Sequence, residues 1–195
     1  DYLLGIAPHS LRAVSPEALV EIIEAKTSGP VHIHIAEQLK EVVDFQLKFN
    51  ARPVEWLLDN TAVDSKWCFI HATHLTSKEI RNSAKSGAVA GLCPITEANL
   101  GDGIFDGSGW LLSGGKYGIG SDSNVQISLT EELRLLEYSQ RLLKKERNVM
   151  SQLPGSVGHA LYNDSLVGGA QALGRKSGSI TPGNWADLLT LDAES

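Results

Sequence analysis

The chain has 195 residues, enough for one ordinary domain, and 42% of them are hydrophobic, so a sizeable core is available. A formal net charge of -6 and a pI near 5.5 argue against nucleic acid or an anionic membrane as partner. No apolar run approaches the roughly 20 residues that span a bilayer, and the first residues read as a strand, not a signal segment. Cys68 and Cys93 each sit inside an apolar run and read as buried free thiols suited to a reducing cytoplasm.

Strand-like and helix-like segments alternate along the chain. Residues 2–7 form a short apolar run. Ser15 as N-cap and Pro16 at the first helical position then open a helix whose apolar face is Leu19, Val20, Ile22 and Ile23. Gly29 and Pro30 end it, and residues 30–35 read as a buried strand. Residues 38–49 are helical, with Val42, Phe45 and Phe49 on one face, and Pro53 starts a shorter helix to residue 58. Residues 67–70 are the next strand. Thr76 and Glu79 form a capping box that opens a helix to about residue 85. Residues 88–93 and 117–120 are two more strands. Ser128 and Glu131 read as a second capping box before the longest helix, whose stripe is Leu129, Leu133, Leu136, Gln140 and Leu143. Two shorter helices follow at 155–161 and 164–173, the second stopped by Gly174. The glycine-rich stretches at 101–103 and 114–115 read as loops, because no Lys-Ser/Thr pair follows to make a phosphate-binding turn.

This alternation implies a parallel sheet with helices outside it. Five strands are expected, whereas a full (β/α)8 barrel has eight and typically about 250 residues. The expected fold class is therefore α/β, a partial (β/α)8 TIM-type barrel corresponding to about strands four to eight, over residues 1–175. Residues 176–195, a turn leading to a short strand, read as the start of a small C-terminal β appendage.

Four polar stretches each end an apolar run: HIHIAE at 32–37, HATH at 71–74, CPITEANLG at 93–101 and GSDS at 120–123. In a parallel barrel such groups converge at the C-terminal mouth, where active sites lie. The pattern is that of a mononuclear metal hydrolase. His34 at a strand end can bind zinc through a neutral ring nitrogen. Glu37, just beyond it, can move a proton between water and a leaving nitrogen. Taken alone, the pair is equally an ordinary polar helix start. Strand alternation is read as separating His32 from His34, leaving His32 a support or core role. His71 ends its strand and is the mouth residue of the second stretch, with His74 in a structural or supporting role. Asp122 can bind metal and accept a proton, although an Asp in GSDS is by itself an ordinary turn residue. His9 and Arg12 follow the first strand. Arg suits a carboxylate held by two parallel hydrogen bonds, and a solvated loop Arg is the alternative. His159 lies in a helix away from strand ends and reads as structural. Chance rarely puts such groups at successive strand ends, which favours a site over four unrelated turns.

The order HIHIAE, HATH, GLCPITEANLGDG and GSDS resembles the amidohydrolase superfamily in its deaminase-like branch. The longer strings GIAPHSLRAVSPE, VHIHIAEQ, ARPVEWLLD, WCFIHATHLT, AVAGLCPITEANLGDGIF, GIGSDSN and EELRLLEYSQRL resemble the formimidoylglutamate deiminases of histidine degradation. The TEANLGDG and PHSLR loops are the most specific parts of that likeness. The resemblance implies zinc-dependent hydrolysis of N-formimino-L-glutamate to N-formyl-L-glutamate and ammonia, with one zinc ion. By the same resemblance His34 and Asp122 are zinc ligands, and Asp122 is also a proton acceptor. Glu37 shuttles a proton to the imine nitrogen, His71 hydrogen-bonds the attacking oxygen, and His9 and Arg12 grip the substrate. The tail resembles the start of the superfamily's returning β domain.

Members of this family carry a His-x-His pair on the first barrel strand that supplies two more ligands. Here the one His-x-His is His32–His34, on a later strand. The expectation is thus a C-terminal part of such an enzyme, which binds zinc weakly or not at all, has little activity alone and self-associates through open sheet edges. Its partner would be a small formimino amino acid, with no nucleic acid or membrane involved. Two other readings stay open: a guanine- or cytosine-type deaminase or imidazolone hydrolase of the same superfamily, and a non-catalytic folded fragment without metal.

Overall fold

Four short parallel strands form the sheet in the order β1-β2-β3-β4: β1 (Val31–Ile35), β2 (Trp67–His71), β3 (Val89–Leu92) and β4 (Lys116–Ile119). The structure is a computed structural model and describes residues 3–25, 28–124, 126–151 and 154–190. Register lays side chains in rows across the sheet. Ile33, Phe69, Ala90 and Tyr117 are successive partners and at most 1% exposed. They face the helices and join Leu19, Val42, Val54, Leu57 and Ile80 in one continuous core. The next row, His34, Ile70, Gly91 and Gly118, lies on the opposite face. A parallel strand pair needs a crossover, and helices supply each one here. Helices α2 (Leu39–Phe49) and α3 (Pro53–Asn60) link β1 to β2, α4 (Ser77–Ser86) links β2 to β3, and α5 (Pro94–Leu100) and α6 (Gly107–Leu112) link β3 to β4. Helix α1 (Pro16–Glu24) precedes the sheet, and α7 (Leu129–Lys144) and α8 (Val157–Ala172) follow it.

The helix starts follow local chemistry. Ser15 accepts from the Ala18 N–H with Pro16 in the first turn. Thr76 and Glu79 form the full reciprocal box. Ser128 accepts from the Glu131 N–H at 3.4 Å.

The structure departs from the sequence reading in several places. The expected first strand is reduced to isolated parallel bridges, Ile6 to Val31 and Ser10 to His34, with Tyr2 outside the described residues. Pro8 has no N–H, and the His9 N–H turns back onto the Ala7 carbonyl at 2.8 Å, so the ladder is interrupted. The two helices expected after residue 155 are one, α8. Its glycines do not break it; they allow close approach to β4, since a Cβ on Gly168 would fall 1.8 Å from the Tyr117 carbonyl oxygen. Helices α5 and α6 occupy stretches near the expected loops, started by Pro94 and by Asp106, whose side chain accepts from the Gly109 N–H. On α7, Leu133, Leu136 and Gln140 are buried as expected, but Leu129 and Leu143 are exposed and Glu132 and Glu137 lie inside. Glu137 can be buried because it accepts from the Val149 and Met150 N–H groups and from Arg141. Finally, His32 and His34 share one face of β1, because residues two apart point the same way. They differ in position along the strand: His32 donates from Nε2 to the Ala172 carbonyl at 2.8 Å, whereas His34 stands nearer the C-terminal rim.

Residues 176–190 carry no helix or strand; Arg175 holds both carboxylate oxygens of Asp187 at 2.9 and 3.1 Å and lies over the Trp185 ring. Residues 191–195 lie outside the described residues. No helix among the described residues is long and apolar enough to cross a membrane.

Candidate active site

The C-terminal ends of the strands carry unusual backbone. Ala36 after β1, His71 and Ala72 at the end of β2, and Asp122 after β4 have φ of 51°, 65°, 48° and 52°. Left-handed backbone is uncommon outside glycine and clusters at functional sites, where it re-aims side chains. Here all four residues lie at one edge of the sheet, the edge that holds the polar stretches of the sequence.

His34, half-buried, donates from Nδ1 to the His9 carbonyl oxygen at 2.8 Å. That bond places a proton on Nδ1, so the neutral ring offers its lone pair from Nε2. The His34 ring lies 4.9 Å from the ring of His9 and 5.7 Å from that of His71, centroid to centroid. His9 is itself exposed, with Nδ1 2.8 Å from Ser10 Oγ.

His71 is the hub. It is 1% exposed, its Nδ1 lies 3.3 Å from Glu97 Oε1, and its Nε2 lies 3.8 Å from both Glu37 Oε1 and Asp122 Oδ2. Burial alone would push its pKa down, but the hydrogen bond and charge of Glu97, with Glu37 and Asp122 beside it, raise it above the ordinary histidine value. The side chain is therefore held among three carboxylates, which favour its charged form.

Glu37 is buried and forms an ion pair with Arg12 Nη2. Arg12 Nε also lies 3.7 Å from Glu41 Oε2. Burial pushes the Glu41 carboxyl up, while Arg12 and the N–H groups of Glu37 and Ala36 act against that rise. His74 supports the rim, donating from Nε2 to the Asp102 carbonyl at 2.7 Å. His159 bonds Asn163 within α8, away from the rim.

The structure thus gathers His34, Glu37, His71 and Asp122 at one rim, with His9 and Arg12 against them. Sequence reasoning missed Glu97. This buried carboxylate follows β3, accepts from the Cys93 N–H at 2.9 Å and faces His71. Its position one turn beyond a strand end was the available signal.

The donor set fits a zinc ion. Neutral imidazole and carboxylate are its common ligands, and His34 presents a bare Nε2 of the correct tautomer. His71, Cys93 and Asp122 each bring one ligand atom within 4.8 Å of the others. Cys93 is the weakest donor of these, because burial first, then Glu97 and Asp122, push its thiol far up and hold it protonated.

Comparison with known proteins identifies the family and the fold. The sequence pattern of the amidohydrolase family matches residues 2–195. The chain is 53% identical, over 97% of its length, to a formimidoylglutamate deiminase of Pseudomonas aeruginosa, and spans 42% of that relative. A crystal structure of an amidohydrolase from Brucella melitensis superposes with a TM-score of 0.87 at 51% identity, over 94% of this chain and 41% of the other. A zinc-bound adenosine deaminase from Xanthomonas campestris shares the fold, with a TM-score of 0.84 at 24% identity, over 94% of this chain and 42% of the other. A parallel sheet with its polar groups at the strand ends, matched along nearly its whole length by one family's pattern, leads to one assignment: the chain belongs to the amidohydrolase family.

Proposed function

We propose that the chain carries part of the active site of a formimidoylglutamate deiminase, which hydrolyses N-formimino-L-glutamate to N-formyl-L-glutamate and ammonia. The observation that carries the hydrolytic reading is the position of His71 Nε2, 3.8 Å from both Glu37 and Asp122. Likeness at 53% identity to the Pseudomonas aeruginosa deiminase supports the substrate.

His34 and Asp122 would hold a single zinc ion, which when bound polarises water and lowers its pKa. Glu37 accepts the first proton of the attacking water and delivers it to the imine nitrogen as the oxygen bonds to the formimino carbon. His71 donates a hydrogen bond to that oxygen as charge builds on it. Asp122 takes the second proton, which also finishes on the nitrogen. The C–N bond then breaks and ammonia leaves, so both protons of the water end on nitrogen and its oxygen on carbon. Arg12 and His9 hold substrate carboxylate. The cytoplasmic setting is supported by two free thiols, Cys68 and Cys93. Self-association is supported by exposed apolar groups such as Leu47, Leu112 and Leu142.

The test uses the chain completed to the length of its relatives and loaded with zinc. N-formimino-L-glutamate should yield ammonia and N-formyl-L-glutamate in equal amounts, while guanine, cytosine and imidazolone substrates stay inert. Turnover of one of those three instead, with none of the formimino compound, would overturn the reading.

A further inference from the structure

Glu41 lies in the first turn of α2, behind the rim, and is 6% exposed. Its two oxygens accept from successive backbone groups: Oε1 from the Ala36 N–H at 3.0 Å and Oε2 from the Glu37 N–H at 2.9 Å. Those N–H groups belong to the turn that aims Glu37, and Ala36 is there fully buried with φ of 51°. A left-handed alanine persists only where its surroundings hold it: the Glu41 carboxylate takes its N–H, and the His74 N–H donates to its carbonyl at 2.9 Å. The same Oε2 faces Arg12 Nε at 3.7 Å, and the other end of that guanidinium, Nη2, is paired with the Glu37 side chain. One arginine therefore bridges two carboxylates, one on α2 and one at the reacting rim.

We propose that Glu41 is a positioning residue: it clamps the Ala36–Glu37 turn and anchors Arg12 by Nε, so that Nη2 can pass from Glu37 to a substrate carboxylate while the guanidinium stays in place. The proposal rests on the deiminase reading above. In the free site Arg12 Nη2 occupies the Glu37 carboxylate. An arriving carboxylate takes over Nη2, and Glu37 is released to accept the proton of water. Substrate binding and proton transfer are thereby coupled through Arg12, which Glu41 holds in place without itself touching the substrate.

The test compares kcat and KM, per bound zinc, for ammonia release from N-formimino-L-glutamate by the complete protein and by Glu41→Gln, Arg12→Ala and the double variant. Glu41→Gln removes the charge facing Arg12 and turns one acceptor into a donor pointed at an N–H. It should raise KM and lower kcat by about tenfold each, the scale of a lost charged hydrogen bond. The double variant should have the KM of Arg12→Ala alone, because Glu41 acts on binding only through Arg12. A purely structural Glu41 would reduce the active fraction and leave KM unchanged, or give effects that multiply with those of Arg12→Ala; either result overturns the proposal. Glu41→Asp keeps the charge but is one carbon too short to bridge both N–H groups, and should lower kcat with a smaller rise in KM. If neither Glu41 variant folds, Glu41 is a stability residue and the proposal fails. If the unaltered protein releases no ammonia, the deiminase reading fails and this inference with it. An active protein indifferent to Glu41 removes this inference alone.

Discussion

The two faces of β1 do different work. On one, Val31, Ile33 and Ile35 are at most 1% exposed and continue an apolar row across the sheet through Phe69, Ala90 and Tyr117. On the other, His32 and His34 are half-buried and spend their ring nitrogens on carbonyl oxygens of α8 and the His9 loop. The apolar face is tied to stability in proportion to area, so any apolar side chain of similar volume would serve it. The polar face and the rim beyond it depend on where single atoms sit. Left-handed backbone at Ala36, His71, Ala72 and Asp122 is concentrated there, where stability gains nothing from it. Substitutions on the two faces should therefore fail in different assays.

The largest effect is expected at the rim. In the zinc-loaded complete protein, Asp122→Ala should bring metal content, read by atomic absorption, and ammonia release down together while the unfolding midpoint of the metal-free form stays put. Retained zinc would remove Asp122 from the donor set. On the apolar face, Phe69→Ala should cost about 3–5 kcal/mol in urea unfolding, because a fully buried ring is replaced by a void. A loss under about 1 kcal/mol would mean that the row is not continuous core. Gly168→Ala sharpens the comparison from the opposite direction. It removes nothing and adds a methyl group that meets the Tyr117 carbonyl, and α8 should shift at a cost of about 1–3 kcal/mol. Smallest is Thr76→Ala, which removes one half of a reciprocal cap on α4 and should cost about 1 kcal/mol with no change in KM.

Much of this was legible in sequence wherever the cause is local. Ser15 with Pro16, and Thr76 with Glu79, announce their helices because the capping partners lie within one turn. Four of the strands and the convergence of His34, Glu37, His71 and Asp122 follow from apolar runs that end in ionisable groups. What stayed hidden depends on distant partners. Residues 162–163 read as a gap between two helices, and the continuous α8 that runs through them emerges only with the fold, where Gly168 packs closely against β4. Glu97 looks like one polar residue in a loop until His71 is found facing it across a parallel strand pair. Arg12 reads as a group that grips substrate, and its pairing with Glu37 and Glu41 needs the fold. Helices α5 and α6, of seven and six residues, are too short for a periodic signal to emerge.

The central claim is that Glu37 moves protons at a metal site that it does not itself bind. Glu37→Gln keeps the shape of the side chain and removes its basicity. The measurement is ammonia release from N-formimino-L-glutamate per bound zinc, for the complete protein beside this variant. The account predicts equal zinc in both and a kcat lower by about a hundredfold or more in the variant, the scale of a lost general acid–base group. Equal rates per zinc in the two proteins would contradict it.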